Sequence, residues 1–203
     1  MIKVLKSGLF STIQDKGRFG YGAFGVPKSG AMDFYSAELA NTLLGNTIND
    51  AVLEITMIGP QLKFDVECLL VITGADMSPS INRKTIQNNK VDRIKKCDTL
   101  GFDKLKSGLR AYVAVKGGFK SDMVLGSQSY YQPLTLANKL NNGDTLYLNQ
   151  SENTFDTYET FSKLKVVDYS SPNIHVFKGP EFERLSCNQK SELTSLESQV
   201  TNL

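Results

Sequence analysis

The 203-residue sequence holds one histidine, His175, and three cysteines, Cys68, Cys97 and Cys187, with no Cys-x-x-Cys pair. One histidine cannot build a typical catalytic zinc site, and scattered thiols support neither a zinc knuckle nor a disulfide framework. Reduced thiols and no metal site are therefore expected. A Ser-His-Asp triad would rest wholly on His175, which alternates with Ile174 and Val176 and reads as a strand position. No sign of charge dominates, since 23 basic residues face 21 acidic ones. That balance gives no electrostatic case for nucleic acid or an acidic membrane surface. No stretch approaches the roughly 18 apolar residues of a membrane span. The opening Met1-Ile2-Lys3-Val4-Leu5 is too short an apolar run for a signal peptide. A soluble, cytoplasmic protein is expected. Internal repeats, a Walker A motif, a Rossmann fingerprint and a biotinyl Met-Lys-Met tripeptide are also missing.

What is present points to β structure. Ile2 to Leu5, Phe10 to Ile13, Leu53 to Met57 and Gln61 to Phe64 read as strands, the third alternating as a half-buried strand does. Cys68 to Thr73 is a continuous apolar run headed by a structural cysteine and stopped by Gly74. Ala111 to Val115 alternates up to Gly117-Gly118. Thr145 to Leu148 follows the turn Asn142-Gly143-Asp144, and Ile174 to Phe177 runs into Gly179-Pro180. Short strands with Gly/Pro punctuation suggest sheets or barrels rather than parallel βαβ units. One helix is clear over Phe34 to Leu44, with Asp33 as N-cap, an apolar face of Phe34, Ala37, Ala40, Leu43 and Leu44, and Gly45 at its end. A shorter helix begins at Ser186, with Gln189 as capping-box partner. Residues 149 to 163 turn polar and read as a linker. The division expected is 1–150 and 151–203, the tail Ser198 to Leu203 reading as a strand just beginning.

The richest segment runs from Gln14 to Asp33, with glycines at 17, 20, 22, 25 and 30 beside Arg18, Lys28 and Ser29, and it leads into a helix start. Two readings are open. Arg18 and the free N–H groups at the helix start could hold a carboxylate or phosphate. Alternatively, the segment is a loop wrapped on a barrel, with Ser29 and Asp33 capping the helix. Asp76, after Thr73-Gly74-Ala75, could orient a substrate amide or satisfy backbone N–H groups in a turn. Ser127 and Ser129 have no nearby histidine in sequence. Glu54 reads as lying on the solvated or inter-barrel face of its strand, and Lys116 as a solvated lysine or a phosphate contact. Tyr130-Tyr131 reads as barrel rim or partner contact.

Three ordered strings carry a resemblance: Gln14-Asp15-x-Gly17-Arg18-x-Gly20, Gly25-Val26-Pro27-x-Ser29-Gly30-Ala31-Met32-Asp33, and Ala40-Asn41-x-Leu43-x-Gly45-Asn46. Leu53-Glu54-Ile55-Thr56, Thr73-Gly74-Ala75-Asp76, Ala111 to Gly118, Leu125-Gly126-Ser127-x-Ser129, Gly143-Asp144-x-Leu146 and Gly179-Pro180-x-Phe182 continue it. With these the chain resembles the allophanate hydrolase subunit 2 family, which includes KipA and the C component of 5-oxoprolinase. It departs from the family between Tyr130 and Asn142, where a Gly-Gly pair is missing, and it stops before its relatives do.

The resemblance implies a mainly β fold with a few short helices, a cyclophilin-like β-barrel followed by a related barrel that is incomplete here. It implies one component of an ATP-dependent 5-oxoprolinase that opens 5-oxoproline to L-glutamate, with Mg and ATP at a site shared by the complex. The partners implied are a KipI-like B component (allophanate hydrolase subunit 1) and a LamB/YcsF-like A component, with a homo-oligomer also possible. The alternatives are carboxyl transfer to urea or a similar amide, with biotin on another protein, and a non-catalytic KipA-like regulator of a kinase inhibitor. Arg18, Ser29, Gly30 and Ala31 are the expected substrate or phosphate contacts, with Asp76, Ser127 and Ser129 after them. No general base stands out.

Overall fold

The computed structural model describes residues 1–149 and 176–197. The chain divides into two units, Met1–Ser162 and Lys163–Leu203. Among the described residues the first unit holds twelve strands: β1 (Ile2–Lys6), β2 (Phe10–Gln14), β3 (Val52–Thr56), β4 (Gln61–Phe64), β5 (Cys68–Asp76), β6 (Ser80–Ile81), β7 (Lys84–Thr85), β8 (Val91–Ile94), β9 (Thr99–Gly101), β10 (Ser107–Val115), β11 (Phe119–Lys120) and β12 (Thr145–Leu148). Its helix, α1, spans Phe34–Leu43. Seven strands form one sheet in the order β11-β12-β1-β4-β9-β6-β7, and five form another in the order β2-β3-β10-β5-β8. The pairings are antiparallel throughout.

The five-stranded sheet is buried on both faces, which explains the unbroken apolar run of β5. Its inner face presents Leu53, Ile55, Leu70, Ile72, Val113 and Val115, which join Ile2, Val4, Leu62, Phe64 and Leu100 of the other sheet in one core. Its outer face presents Val52, Val71, Tyr112 and Ala114, which pack on Ala37, Ala40 and Leu44 of the α1 segment. Each fully buried Leu, Ile or Phe contributes roughly 1.5–3 kcal/mol. β5 runs three residues past the expected end. Gly74, at φ +79, sits at an irregularity in the β5–β10 register, so it bends the strand without ending it.

α1 starts and stops as its sequence demands. The Asp33 carboxylate accepts from Ser36 N at 3.0 Å, and Gly45 adopts φ +61 beyond the last turn. Lys116 is half-buried and bound to the protein itself. Its Nζ donates to Leu44 O and Gly45 O at 2.8 and 3.1 Å, placing a cation at the helix C-terminus. Tyr130 packs edge-on against Phe10, with ring centroids 5.9 Å apart.

In the second unit, α2 spans Cys187–Ser195 and carries the full Ser186/Gln189 capping box. Val176 and Phe177, expected in a strand, are irregular and exposed. His175, the linker from 150 to 163 and the tail from 198 to 203 lie outside the described residues. No helix among the described residues is long and apolar enough to cross a membrane.

Cys68 is buried, and that burial pushes its thiol up to about 12, whereas Cys97 and Cys187 are exposed. A thiol reagent is therefore expected to modify Cys97 and Cys187 in the native protein and Cys68 only in denaturant. Adduct counts by mass spectrometry check this. Native labelling of Cys68 at the rate of the other two would contradict the packing.

Candidate functional site

The segment from Gln14 to Asp33 leaves the end of β2, loops out and returns to the start of α1. Its two arms touch. Arg18 N donates to Lys28 O at 2.6 Å, and Ala31 N donates to Asp15 O at 3.0 Å. Only a residue without a side chain permits this approach at position 17. Gly17 has φ +90, and a Cβ there would lie 2.5 Å from Lys28 O and 2.7 Å from Ser29 O. At the outer end, Lys28 Nζ stands 4.6 Å above the Phe19 ring and 4.5 Å above the Phe34 ring.

The Asp15 carboxylate ties this loop to the segment holding Ser127 and Ser129. Oδ1 accepts from Gly17 N at 2.8 Å and from the Ser127 and Ser129 hydroxyls at 2.6 Å each. Oδ2 accepts from Gln128 N at 2.6 Å. Burial alone would raise the pKa of Asp15, but these four bonds outweigh it and leave the pKa lowered. Asp15 is thus a charged structural clamp. Ser127 and Ser129, expected as ligand contacts, are fully buried and donate to it.

Arg18 also departs from expectation. It is only 2% exposed. Its Nη2 donates to Ser129 O at 2.5 Å and its Nε to Val124 O at 3.2 Å, while Nη1 has no acceptor among the described residues. The guanidinium is an internal clamp between the two segments, with its charge turned away from solvent. Of the remaining expected contacts, the Ala31 amide is engaged by Asp15 O. Ser29 (φ +54) and Gly30 (φ +97) form the partly exposed apex before α1. Asp76 lies elsewhere, at the end of β5. Its Oδ1 accepts from Ser78 N at 2.8 Å and its Oδ2 lies 3.5 Å from Lys106 Nζ, the arrangement of a turn carboxylate.

Glu54 lies on the face opposite Leu53 and Ile55, as alternation implies, but that face is covered rather than solvated. It is 6% exposed because the entry to α1 covers its face of β3. Its Oε2 accepts from Met32 N at 2.8 Å and from the Tyr112 hydroxyl at 2.9 Å, and the same hydroxyl accepts from Asp33 N at 2.8 Å. Arg110 Nε stands 3.6 Å from Oε1, an ion pair too long for a hydrogen bond. Burial first, and then the Glu54 charge, push the Tyr112 phenol above its ordinary pKa, so it stays protonated. Glu54 and Tyr112 together fix the position of residues 32 and 33.

A hollow opens beside this turn. The loop arms line it with Gln14, Asp15, Lys16 and Ala31, and α1 closes one side with Phe34 and Glu38. Here an expected contact, Ala31, borders the hollow together with polar groups. No group of three or more His, Cys, Asp or Glu side chains placed to hold a metal occurs among the described residues.

Residues 24–202 match the family described as carboxyltransferase domain, subdomain A and B. A urea amidolyase of Lachancea kluyveri is 39% identical over 155 residues, covering 74% of this chain and 8% of its own length. The C component of 5-oxoprolinase from Escherichia coli K12 is 31% identical over 129 residues, covering 64% of this chain and 42% of its own length. Among solved structures, the K. lactis urea amidolyase superposes with a TM-score of 0.71 at 38% identity, over 74% of this chain and 9% of that one. The structure of TTHA0988 superposes with a TM-score of 0.69 at 30% identity, over 72% of this chain and 56% of that one. This chain therefore spans less than half the length of either curated relative, and it belongs to the carboxyltransferase family of subdomains A and B.

Proposed function

We propose that the chain is a substrate-handling part of a multi-component 5-oxoprolinase-type complex, opening 5-oxoproline to L-glutamate with a KipI-like partner and a LamB/YcsF-like partner. The observation that carries this reading is the crossed loop. It holds the Ser29–Gly30 apex rigidly in front of α1 while Arg18 and the Ala31 amide face inward. The Ser29 hydroxyl and the Gly30 N–H have no protein acceptor among the described residues and are donors suited to a lactam oxygen or carboxylate. A nucleotide triphosphate needs several cations or amides converging on it. Among the described residues, Arg18, the cation expected to meet it, does not fit that role, because it is committed to two carbonyls. In this reading ATP and Mg are held at a site shared by the complex, with the partner proteins supplying the phosphate contacts that Arg18 does not.

A second reading, carboxyl transfer to urea or a similar amide with biotin arriving on another protein, is favoured by the higher identity to the urea amidolyases, 39% and 37%.

Reconstitution tests both. With the KipI-like and LamB/YcsF-like partners, 5-oxoproline and ATP, glutamate release is expected from the full mixture and not from the chain alone. Ser29→Ala is expected to slow it about tenfold, the equivalent of one lost hydrogen bond of ~1.4 kcal/mol. Glutamate release without the chain would sink the first reading. Bicarbonate fixation into urea with a biotinylated partner, and no glutamate, would establish the second.

A further inference from the structure

The outer face of the five-stranded sheet continues past the rows that the start of α1 covers. One row there crosses three strands. Phe10 of β2 pairs with Thr56 of β3, and Thr56 pairs with Arg110 of β10. Cross-strand partners stand side by side on one face, about 5 Å apart. This row is partly open, Phe10 being 37% exposed and the Arg110 side chain 27%. The proposed function uses none of the three residues.

Arg110 is anchored at one end and free at the other. Its Nε is enclosed and lies 3.6 Å from Oε1 of Glu54. Glu54 is itself fixed, since its Oε2 accepts from Met32 N and from the Tyr112 hydroxyl. The two Nη atoms are not enclosed as Nε is, and they have no acceptor among the described residues. A planar fork with its stem held loses little freedom on binding and matches the two oxygens of a carboxylate. Beside it, the Thr56 hydroxyl also has no partner among the described residues. Charge limits what can bind. Glu54 offsets Arg110, and Lys139, whose Nζ stands 5.2 Å from the centre of the Phe10 ring, adds one cation at the far end of the row. Asp76 and Lys106, at the start of β10, match each other at 3.5 Å. That balance suits a singly charged acid, whereas a polyphosphate needs several converging cations.

We infer that Arg110 and Thr56 form a subsite for a carboxylate group. The Nη fork donates to both carboxylate oxygens, and the Thr56 hydroxyl donates to one of them. Naming the ligand rests on the function proposed above: the carboxylate is that of 5-oxoproline, which carries one beside its lactam ring. Urea carries none.

The test is an NMR titration of the full ¹⁵N-labelled chain at constant ionic strength, following the backbone amides of Thr56 and Arg110 and the Arg110 Nε–H. Saturable shifts are expected with 5-oxoproline and weaker ones with acetate. 2-Pyrrolidinone, the same lactam without the carboxylate, should give none. Arg110→Lys keeps the charge and loses the fork, and should weaken 5-oxoproline binding about tenfold. Thr56→Val keeps the strand and removes one donor, and should weaken it about threefold. Should Arg110→Lys fail to fold, the 2-pyrrolidinone and Thr56→Val arms decide the matter. An unsaturable response, equal shifts with 2-pyrrolidinone, or unchanged affinity in Thr56→Val would overturn the subsite. Acetate binding as tight as 5-oxoproline would overturn its assignment to substrate and leave a site for any carboxylate, a partner's acidic side chain included. The two readings fail separately. Variant-sensitive carboxylate binding with no glutamate release from the reconstituted complex keeps the subsite and removes the function. Glutamate release with no carboxylate-dependent shifts does the reverse.

Discussion

Asp15→Ala should destabilise the chain by about 4 kcal/mol, the largest loss expected from any polar substitution near the site. The carboxylate accepts four hydrogen bonds, from Gly17 N, Ser127 Oγ, Ser129 Oγ and Gln128 N. Bonds to a charged acceptor are worth about 1.5–3 kcal/mol each and do not add fully within one network. Removing the acceptor also strands buried donors, Ser127 and Ser129 being fully enclosed. Single changes Ser127→Ala or Ser129→Ala remove one donor each and should cost only about 1 kcal/mol. Urea denaturation of the three variants measures this hierarchy. Equal losses for the serines and the aspartate would show that the carboxylate is not the centre of the network.

The same carboxylate sets an acid dependence. The folded pKa of Asp15 lies below its ordinary value of 3.8. A group whose pKa is depressed on folding contributes stability above its unfolded pKa and loses it as pH falls through the folded one. The difference between the wild-type chain and Asp15→Ala should therefore be full near neutrality and shrink as pH drops below about 3.8. A difference that grows in acid would reverse the sign and refute the assignment.

Gly17→Ala carries the second large effect, roughly 3 kcal/mol or more. Two penalties coincide. The residue occupies φ +90, and the added methyl would sit 2.5 Å from Lys28 O and 2.7 Å from Ser29 O, backbone atoms that cannot swing aside. The loop arms must part, breaking the Arg18 N to Lys28 O bond. Gly20→Ala is the control. Gly20 shares φ +90, but nothing lies within 4 Å of its would-be Cβ, so only the conformational cost of about 1 kcal/mol remains. Comparable thermal shifts for the two variants would mean that the close crossing is not what holds the apex. Loss of activity in a reconstituted complex should follow Gly17→Ala more than Gly20→Ala, because only the former moves Ser29 and Gly30.

Strands missed by inspection share one property. β6, β7, β8, β9 and β11 have two to four residues each and no apolar alternation long enough to see. They exist because a neighbouring edge offers a ladder, as β9 pairs with both β4 and β6. The longer strands and both helix starts were legible because their signals are local: a side chain three residues from the N–H it caps, or an alternation contained in one strand. Glu54 shows what alternation leaves open. Its position between Leu53 and Ile55 correctly implied the opposite face, but that face is covered by the turn entering α1.

The local chemistry of the chain determined the β-rich class, the cap at Asp33, the capping box at Ser186 and Gln189, and the family. Tertiary structure alone decided that Arg18, Ser127 and Ser129 face inward, since their common partner, Asp15, or the carbonyls they meet lie more than 100 residues away in sequence. A charged side chain and two hydroxyls look the same in sequence whether they await a ligand or each other. Burial separates the two cases, because a polar group enclosed without solvent must take its hydrogen bonds from whatever the fold places beside it.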